Sequence, residues 1–387
     1  MQFSKIIGQQ TIKNKLIQTD KDNRISHAQL FLGPEGCGKL GLAIAYAQFI
    51  NCTGRNSESD DSCGVCASCR KYQILAHPDL HFIYPTSTTK EVPEKPSSKD
   101  FIGKWRSLLL DNEGAYIKLI QWYNTIGIEN KQGIINVNDC TDIIKTLSYK
   151  SYESKYKVVI IWMVEKLFHS AAPKILKILE EPPDNTLFLL VAEESGQIIS
   201  TILSRTQLVK IKPLSNNDIS IALINNYGIE PSRANLAARN ARGNFIDALE
   251  YVNSEGNDNY FEHFIVWMRL CFNINIENIS AWIGEITKIG REKLKIFLST
   301  AVDILRETMI IKIHGDKFLN YEGDERKFIL NFSNTISEEF ISEISRELSR
   351  ASMHIERNAN VSILFMDLSL KINKMLKSRA RSISKGR

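Results

Sequence analysis

Up to about residue 212 the apolar positions of this 387-residue chain keep changing their period. "AQLFLG" (28–33) is a short apolar run closing on glycine, and "YKVVIIW" (156–162) and "NTLFLLVA" (185–192) are two more. Unbroken apolar runs of this length fit strands buried on both faces of a parallel sheet. Helical spacing lies between them. "KLGLAIAYAQFIN" follows the first run, and "SAAPKILKILEEPP" is a helix that Pro182 and Pro183 should stop, because proline has no N–H to continue the ladder. Strand, helix and strand in turn predict an α/β domain with a parallel sheet over residues 1–212.

Residues 86–132 interrupt this rhythm. "TSTTKEVPEKPSSKD" is polar and rich in Pro and Ser and reads as an exposed loop, and "WRSLLLDNEGAYIKLIQWYN" after it suits one amphipathic helix. The segment is an insertion in the α/β domain. After "KIKPL" the strand signals fade. "SNNDISIALINNYG" has a polar start and a glycine stop, and "PSRANLAARNARGNFIDALEYV" follows, so residues 213–255 suit a small helical lid. From 256 to 387 the pattern stays helical. A chain of this length exceeds one compact core, in line with three domains.

The first apolar run leads into "GPEGCGKLG", in which Gly33, Gly36, Gly38 and Lys39 satisfy the glycine-rich phosphate-loop pattern at a strand-to-helix turn. The residue after the lysine should be Ser or Thr, to ligate Mg²⁺. It is Leu40.

Seven cysteines are present, four of them inside 18 residues: Cys52, Cys63, Cys66 and Cys69. The two C-x2-C steps and the upstream Cys52 can close tetrahedrally on a structural zinc. A [4Fe–4S] cluster also uses C-x2-C-x2-C, with its further cysteine downstream, and a redox dithiol needs only two of the four; both alternatives stay open. Cys37, Cys140 and Cys271 are scattered and read as core or near-surface thiols.

Charge adds little. The net +5 rests on residues 371–387, which hold seven Lys/Arg and no acid, and the remainder of the chain carries −2. A basic tail attracts nucleic acid or is simply a solvated helix end. No run of about 18 apolar residues occurs, so no membrane association is expected. The first residues, "MQFSKIIGQQTIKNK", lack a signal core and cleavage site, and a cytoplasmic location follows.

Taken in order, "FSKIIGQQTIKNKL", "RISHAQLFLGPEGCGK", the four-cysteine module, "LKILEEPPDNTLFLLVAE" and "TILSRTQ" resemble the AAA+ clamp-loader family, and within it the delta-prime type of bacterial DNA polymerase III subunit. The resemblance covers roughly 1–85 and 133–255, and reaches the C-terminal region through "IERNANVSILFMDL". It implies an α/β phosphate-loop (AAA+) domain with a parallel sheet, a small helical lid, and an all-α C-terminal collar domain for oligomerisation over 256–387. In such loaders five subunits form a gapped ring that opens the sliding clamp, and each ATP lies between neighbours.

Alignment on "LEEPP" places the family's catalytic Asp-Glu pair on Trp162 and Met163, neither of which can hold Mg²⁺ or orient water. Glu165, three residues past the Asp position, reads as a solvated loop residue. The lid arginine of active members, in Gly-x-x-Arg-Asp-Ala-Leu, falls on Ile246 of "GNFIDAL". Metal ligation, water activation and γ-phosphate sensing are therefore missing together, and hydrolysis of Mg²⁺-ATP is not expected in this chain. One element survives: Ser204 and Arg205 of "LSRTQ" stand at the family's Ser-Arg-Cys motif, with Thr206 for the cysteine. The resemblance implies that Arg205 is an arginine finger acting in trans. The implied protein is a non-catalytic stator in DNA replication, with gamma/tau and delta subunits as partners. Primer–template DNA would be reached through the assembled complex and the sliding clamp indirectly. The alternative is an active gamma/tau-like clamp-loader ATPase.

Overall fold

The computed structural model describes the chain except residues 57, 129–130, 254–259, 274, 316–322, 357–358 and 384–387. Its contacts divide it into two compact units, Met1–Glu255 and Gly256–Arg387. The sequence-expected start of the C-terminal domain falls within 254–259, outside the described residues, as do the last four residues of the basic tail.

The first unit is built on a five-stranded parallel sheet. Its strands are β1 (Ala28–Leu32), β2 (Leu80–Ile83), β3 (Lys157–Trp162), β4 (Thr186–Ala192) and β5 (Gln207–Lys210), in the spatial order β2-β3-β4-β1-β5. Every residue of β3 and β4 is buried, which explains why their sequences read as unbroken apolar runs. Alternate residues feed two cores. Phe31, Val158, Ile160, Trp162 and Leu189 face one layer of helices. Leu30, Val159, Ile161, Phe188 and Leu190 face the other. Edge strand β5 shows the opposite pattern, with only Val209 buried. The parallel α/β architecture with a helical region after it agrees with the sequence reading.

The helix Lys39–Ile50 starts directly after the glycine-rich turn and is buried along its whole length. It runs through the core beneath the sheet, which accounts for its near-total lack of polar positions. The helix Ala172–Glu180 ends before the Pro182–Pro183 pair, as proline chemistry requires.

The insertion departs from expectation in two ways. The single amphipathic helix is instead two, Ile102–Asp111 and Leu119–Ile126. Between them Gly114 takes a left-handed conformation (φ 76°), which a continuous helix does not accommodate. Nor is the polar stretch solvated throughout. Ser98 is buried and donates from both Oγ and its backbone N–H to Asp139, at 2.8 and 2.6 Å. The helices carry Trp105 and Trp122 into the sheet core. There Trp105 stacks on Tyr84 (4.3 Å between centroids) and meets Trp122 and Trp162 at 5.1 and 5.0 Å. The insertion therefore supplies core.

The lid contains the helices Asn216–Tyr227, Pro231–Asn240 and Phe245–Asn253. Ser215 caps the first through the Asp218 N–H, and Gly228 (φ 66°) ends it. The second unit is helical among its described residues, from Tyr260–Phe272 to Val361–Ile383. Its aromatic core stacks Trp267 on Trp282 (5.3 Å, 8°), and Trp267 donates its indole N–H to Ser369 Oγ at 2.8 Å. Among the described residues no helix is long and apolar enough to cross a membrane.

Removing the Trp105 ring empties the largest site the insertion fills. Trp105→Ala is expected to cost about 3–5 kcal/mol, read as a lowered denaturant midpoint for the first unit. An unchanged midpoint would show that the insertion is not part of this core.

Candidate functional site

The phosphate loop lies where β1 stops and its helix begins, so the loop amides and the positive end of the helix point the same way. Gly36 and Gly38 take left-handed conformations (φ 68° and 85°) that most side chains resist. Lys39 is almost fully buried. Its ammonium donates to the Pro34 carbonyl oxygen at 3.0 Å and to Glu193 Oε1 at 2.8 Å. Glu193 follows the last residue of β4, and its own N–H donates to Glu165 Oε1 at 2.8 Å.

Glu165 therefore differs from the solvated residue expected. It lies in the middle of the short turn Val164–Lys166 after β3 and aims inward; its Oε2 is buried with no hydrogen-bond partner among the described residues. Burial pushes this carboxyl above the usual range, against the opposing Glu193 N–H and the Lys39 charge. Sequence position alone could not reveal this, because the inward turn depends on the β3–β4 pairing.

The positions at which the family resemblance expects metal ligation and water activation are apolar and inaccessible. Leu40, Trp162 and Met163 are each 3% exposed, and all three belong to the sheet core beneath the loop. Met163 keeps a left-handed backbone (φ 57°), a conformation costing an L-residue about 1–2 kcal/mol. Ile246 is turned into the lid core with Leu214, Leu223 and Phe245.

The lid reaches the loop by another route. The Phe245 N–H donates to the Gly36 carbonyl oxygen at 3.1 Å, and Asn244, which caps the helix through the Ile246 N–H, also donates to Glu35. Asn244 was not singled out from the sequence, although a Gly-Asn before a helical run is a capping signal.

Arg205 lies far along the chain, in the turn between the helix Ser200–Leu203 and edge strand β5. Its guanidinium pairs with Glu180, donates to the Thr201 carbonyl oxygen at 3.1 Å and touches Ser204 Oγ at 3.3 Å. The side chain is 35% exposed. The structure does not bring it to this chain's own phosphate loop pairing; its carboxylate partner is on the "LEEPP" helix.

The four cysteines do converge. Their Sγ atoms all lie within 4.8 Å of one another, with Cys52–Cys66 at 3.9 Å and Cys63–Cys69 at 4.0 Å. Tetrahedral zinc with bonds of about 2.3 Å spaces its sulfurs by about 3.8 Å, so the donor set fits the ion. Backbone N–H groups of Cys63, Cys66 and Cys69 donate to Cys52, Cys63 and Cys66 sulfurs at 3.3–3.4 Å. For Cys66, burial raises the thiol, but hydrogen bonds from Thr53 and the Cys69 N–H outweigh it and bring it down to about 5. Asp61, inside the module, accepts the N–H groups of Phe3 and Ser4 at 3.0 and 2.9 Å and so fastens the N-terminal segment.

A parallel sheet with a phosphate loop at an internal strand, a lid docked on that loop and a four-thiol module define an α/β phosphate-loop protein with an appended helical lid. The family model described as DNA polymerase III, delta subunit, matches residues 8–215, and the chain belongs to that family. The DNA polymerase III subunit delta' of Bacillus subtilis (strain 168) is 27% identical over 242 residues, 62% of this chain and 58% of that protein. The subunit tau of Escherichia coli (strain K12) is 28% identical over 253 residues, 64% of this chain but 32% of that protein. The matches thus span less than two thirds of these relatives. Among solved structures, a gamma subunit-related protein of DNA polymerase III from Thermotoga maritima covers 93% of this chain and 99% of its own, at 14% identity and a TM-score of 0.34. The Bacillus subtilis DNA clamp loader delta protein covers 94% and 99%, at 12% identity and 0.32.

The chain purified under reducing conditions is expected to carry about one zinc. Cys66→Ser should lose the ion and lower the melting temperature, because metal binding to a site absent from the unfolded chain adds to folding free energy. Iron with visible absorption, or no metal in a folded chain, would overturn this.

Proposed function

We propose that this chain is a non-catalytic stator subunit of the bacterial replicative clamp loader. The observation that carries this reading is the burial of Leu40, Trp162 and Met163 in the sheet core. No rotamer of these side chains offers an oxygen to Mg²⁺ or to an attacking water, whereas a working phosphate-loop site needs both. The Ile246 side chain, lodged in the lid core, extends the same argument to γ-phosphate sensing.

Arg205 is the group this subunit contributes. It stands half exposed beside the edge strand, so a neighbouring subunit can approach it, and its pairing with Glu180 holds the guanidinium in place until then. A planar, permanently charged fork suits a transferring phosphoryl group on the neighbour. Ser204 orients it. Gamma/tau and delta subunits are the partners, residues 256–387 build the oligomerisation collar, and structural zinc staples the α/β domain. Primer–template DNA is met through the assembled complex and the sliding clamp indirectly, in the cytoplasm.

A second reading, an active ATPase of the same family, draws on one observation: Glu165 and Glu193 put two carboxylates beside Lys39. One of them would have to leave its present partner to hold Mg²⁺.

The purified chain with Mg²⁺-ATP separates the two. The stator reading expects no sustained turnover. In a reconstituted loader it expects Arg205→Ala to cut hydrolysis at the neighbouring site by roughly 10³–10⁵ while assembly is unchanged. Turnover by the chain alone, abolished by Lys39→Ala and by Glu165→Gln, would establish the second reading instead.

A further inference from the structure

We propose that the insertion is a built-in wedge: the segment around Gly114–Tyr116 fills the space beside the phosphate loop and locks the lid onto the α/β domain without any nucleotide. The proposal deepens the stator reading and rests on it only in taking the loop to be a structural joint.

Tyr116 touches three parts of the unit at once. Its Oη accepts the Ile7 N–H at 3.0 Å, from the N-terminal segment. The same Oη presses on the phosphate loop so closely that a Cβ on Gly38 would lie 2.8 Å from it. Its ring packs on Phe245 of the lid at 5.0 Å, and it is 5% exposed within the lid's own apolar cluster. Two residues earlier, the Gly114 carbonyl oxygen crosses the helix Lys39–Ile50 at Gly41, where a Cβ would come within 2.0 Å of it. Two residues after Tyr116, the Lys118 ammonium pairs with Asp247 and Glu250 on the lid helix, at 2.8 and 2.7 Å.

The remaining face of the loop is covered from the lid. The Asn244 side chain lies against Gly36, where a Cβ would sit 1.6 Å from Oδ1, and the Phe245 N–H takes the Gly36 carbonyl oxygen. Lys39 is engaged by Pro34 and Glu193. The N-terminal segment, the insertion, the lid and β4 thus all contribute groups packed against the loop. In a nucleotide-driven protein, lid position follows the occupant of the loop. On the wedge proposal these contacts hold the lid in place instead.

Amide hydrogen exchange on the full chain tests this, with Tyr116→Ala, Tyr116→Phe and Lys118→Ala as variants. Tyr116→Ala is expected to speed exchange in the lid helices Pro231–Asn240 and Phe245–Asn253 by about tenfold or more, while β1 and β4 keep their protection. Lys118→Ala, which removes the two ion pairs but leaves the Tyr116 packing, should give a smaller rise of about threefold, and Tyr116→Phe should affect mainly the amides around Ile7. Should Tyr116→Ala fail to fold, Lys118→Ala decides for the lid and Tyr116→Phe for the Ile7 contact. Unchanged lid exchange in folded Tyr116→Ala, or in Lys118→Ala where Tyr116→Ala does not fold, would overturn the wedge, as would further lid protection of the unaltered chain by ATP. Turnover of ATP, measured separately, bears on the stator reading and leaves these exchange rates as an independent result.

Discussion

A lysine ammonium buried at the end of a phosphate loop is the charge that the rest of this site answers. Left unpaired, such a group costs several kcal/mol, and in a working site the ligand's phosphates and metal complete its surroundings. In this chain the answer is internal: Glu193, at the carboxyl end of β4, meets Lys39 at 2.8 Å. That pairing in turn places the Glu193 N–H on Glu165, so one compensated charge organises the ends of β1, β3 and β4. The loop is satisfied by the protein itself.

The positions around the loop pack as core. Leu40 and Trp162 join a core that the insertion completes with Trp105 and Trp122, and Ile246 does the same for the lid. Aromatic groups of this size bring large apolar area and preferred tilted or edge-on contacts. On the stator reading proposed above, the residues that offer no catalytic oxygen are the same ones that build the core. The four-cysteine module contributes as well. Through Asp61 it secures the segment Phe3–Lys5, which leads to Ile7 and hence to the loop.

The elements with a strong local signal were legible in the sequence. Fully buried strands such as β3 and β4 appear as unbroken apolar runs, Ser215 and Gly228 mark both ends of a lid helix, and Pro182–Pro183 mark another helix's end. The four cysteines announced their convergence by spacing alone, since ligand geometry restricts spacing. Less was legible where a local pattern had two solutions. The apolar periodicity from Trp105 to Trp122 suits one helix or two, and the left-handed backbone at Gly114 selects two.

The sequence by itself determined that the side chains of Leu40, Trp162 and Met163 offer no oxygen ligand, because none of them carries an oxygen atom. It likewise marked the strands β1, β3 and β4, because burial on two faces leaves an unbroken apolar run, whereas β2 and β5 and the two-helix form of the insertion were not read from it. Only the tertiary structure decided where Glu165, Tyr116 and Asn244 point. Each is set by contacts more than 25 residues away along the chain — with Glu193, Ile7 and Gly36 — and such contacts leave no period to read. A polar or aromatic residue in a loop has the same local signature whether it meets water or the centre of a joint.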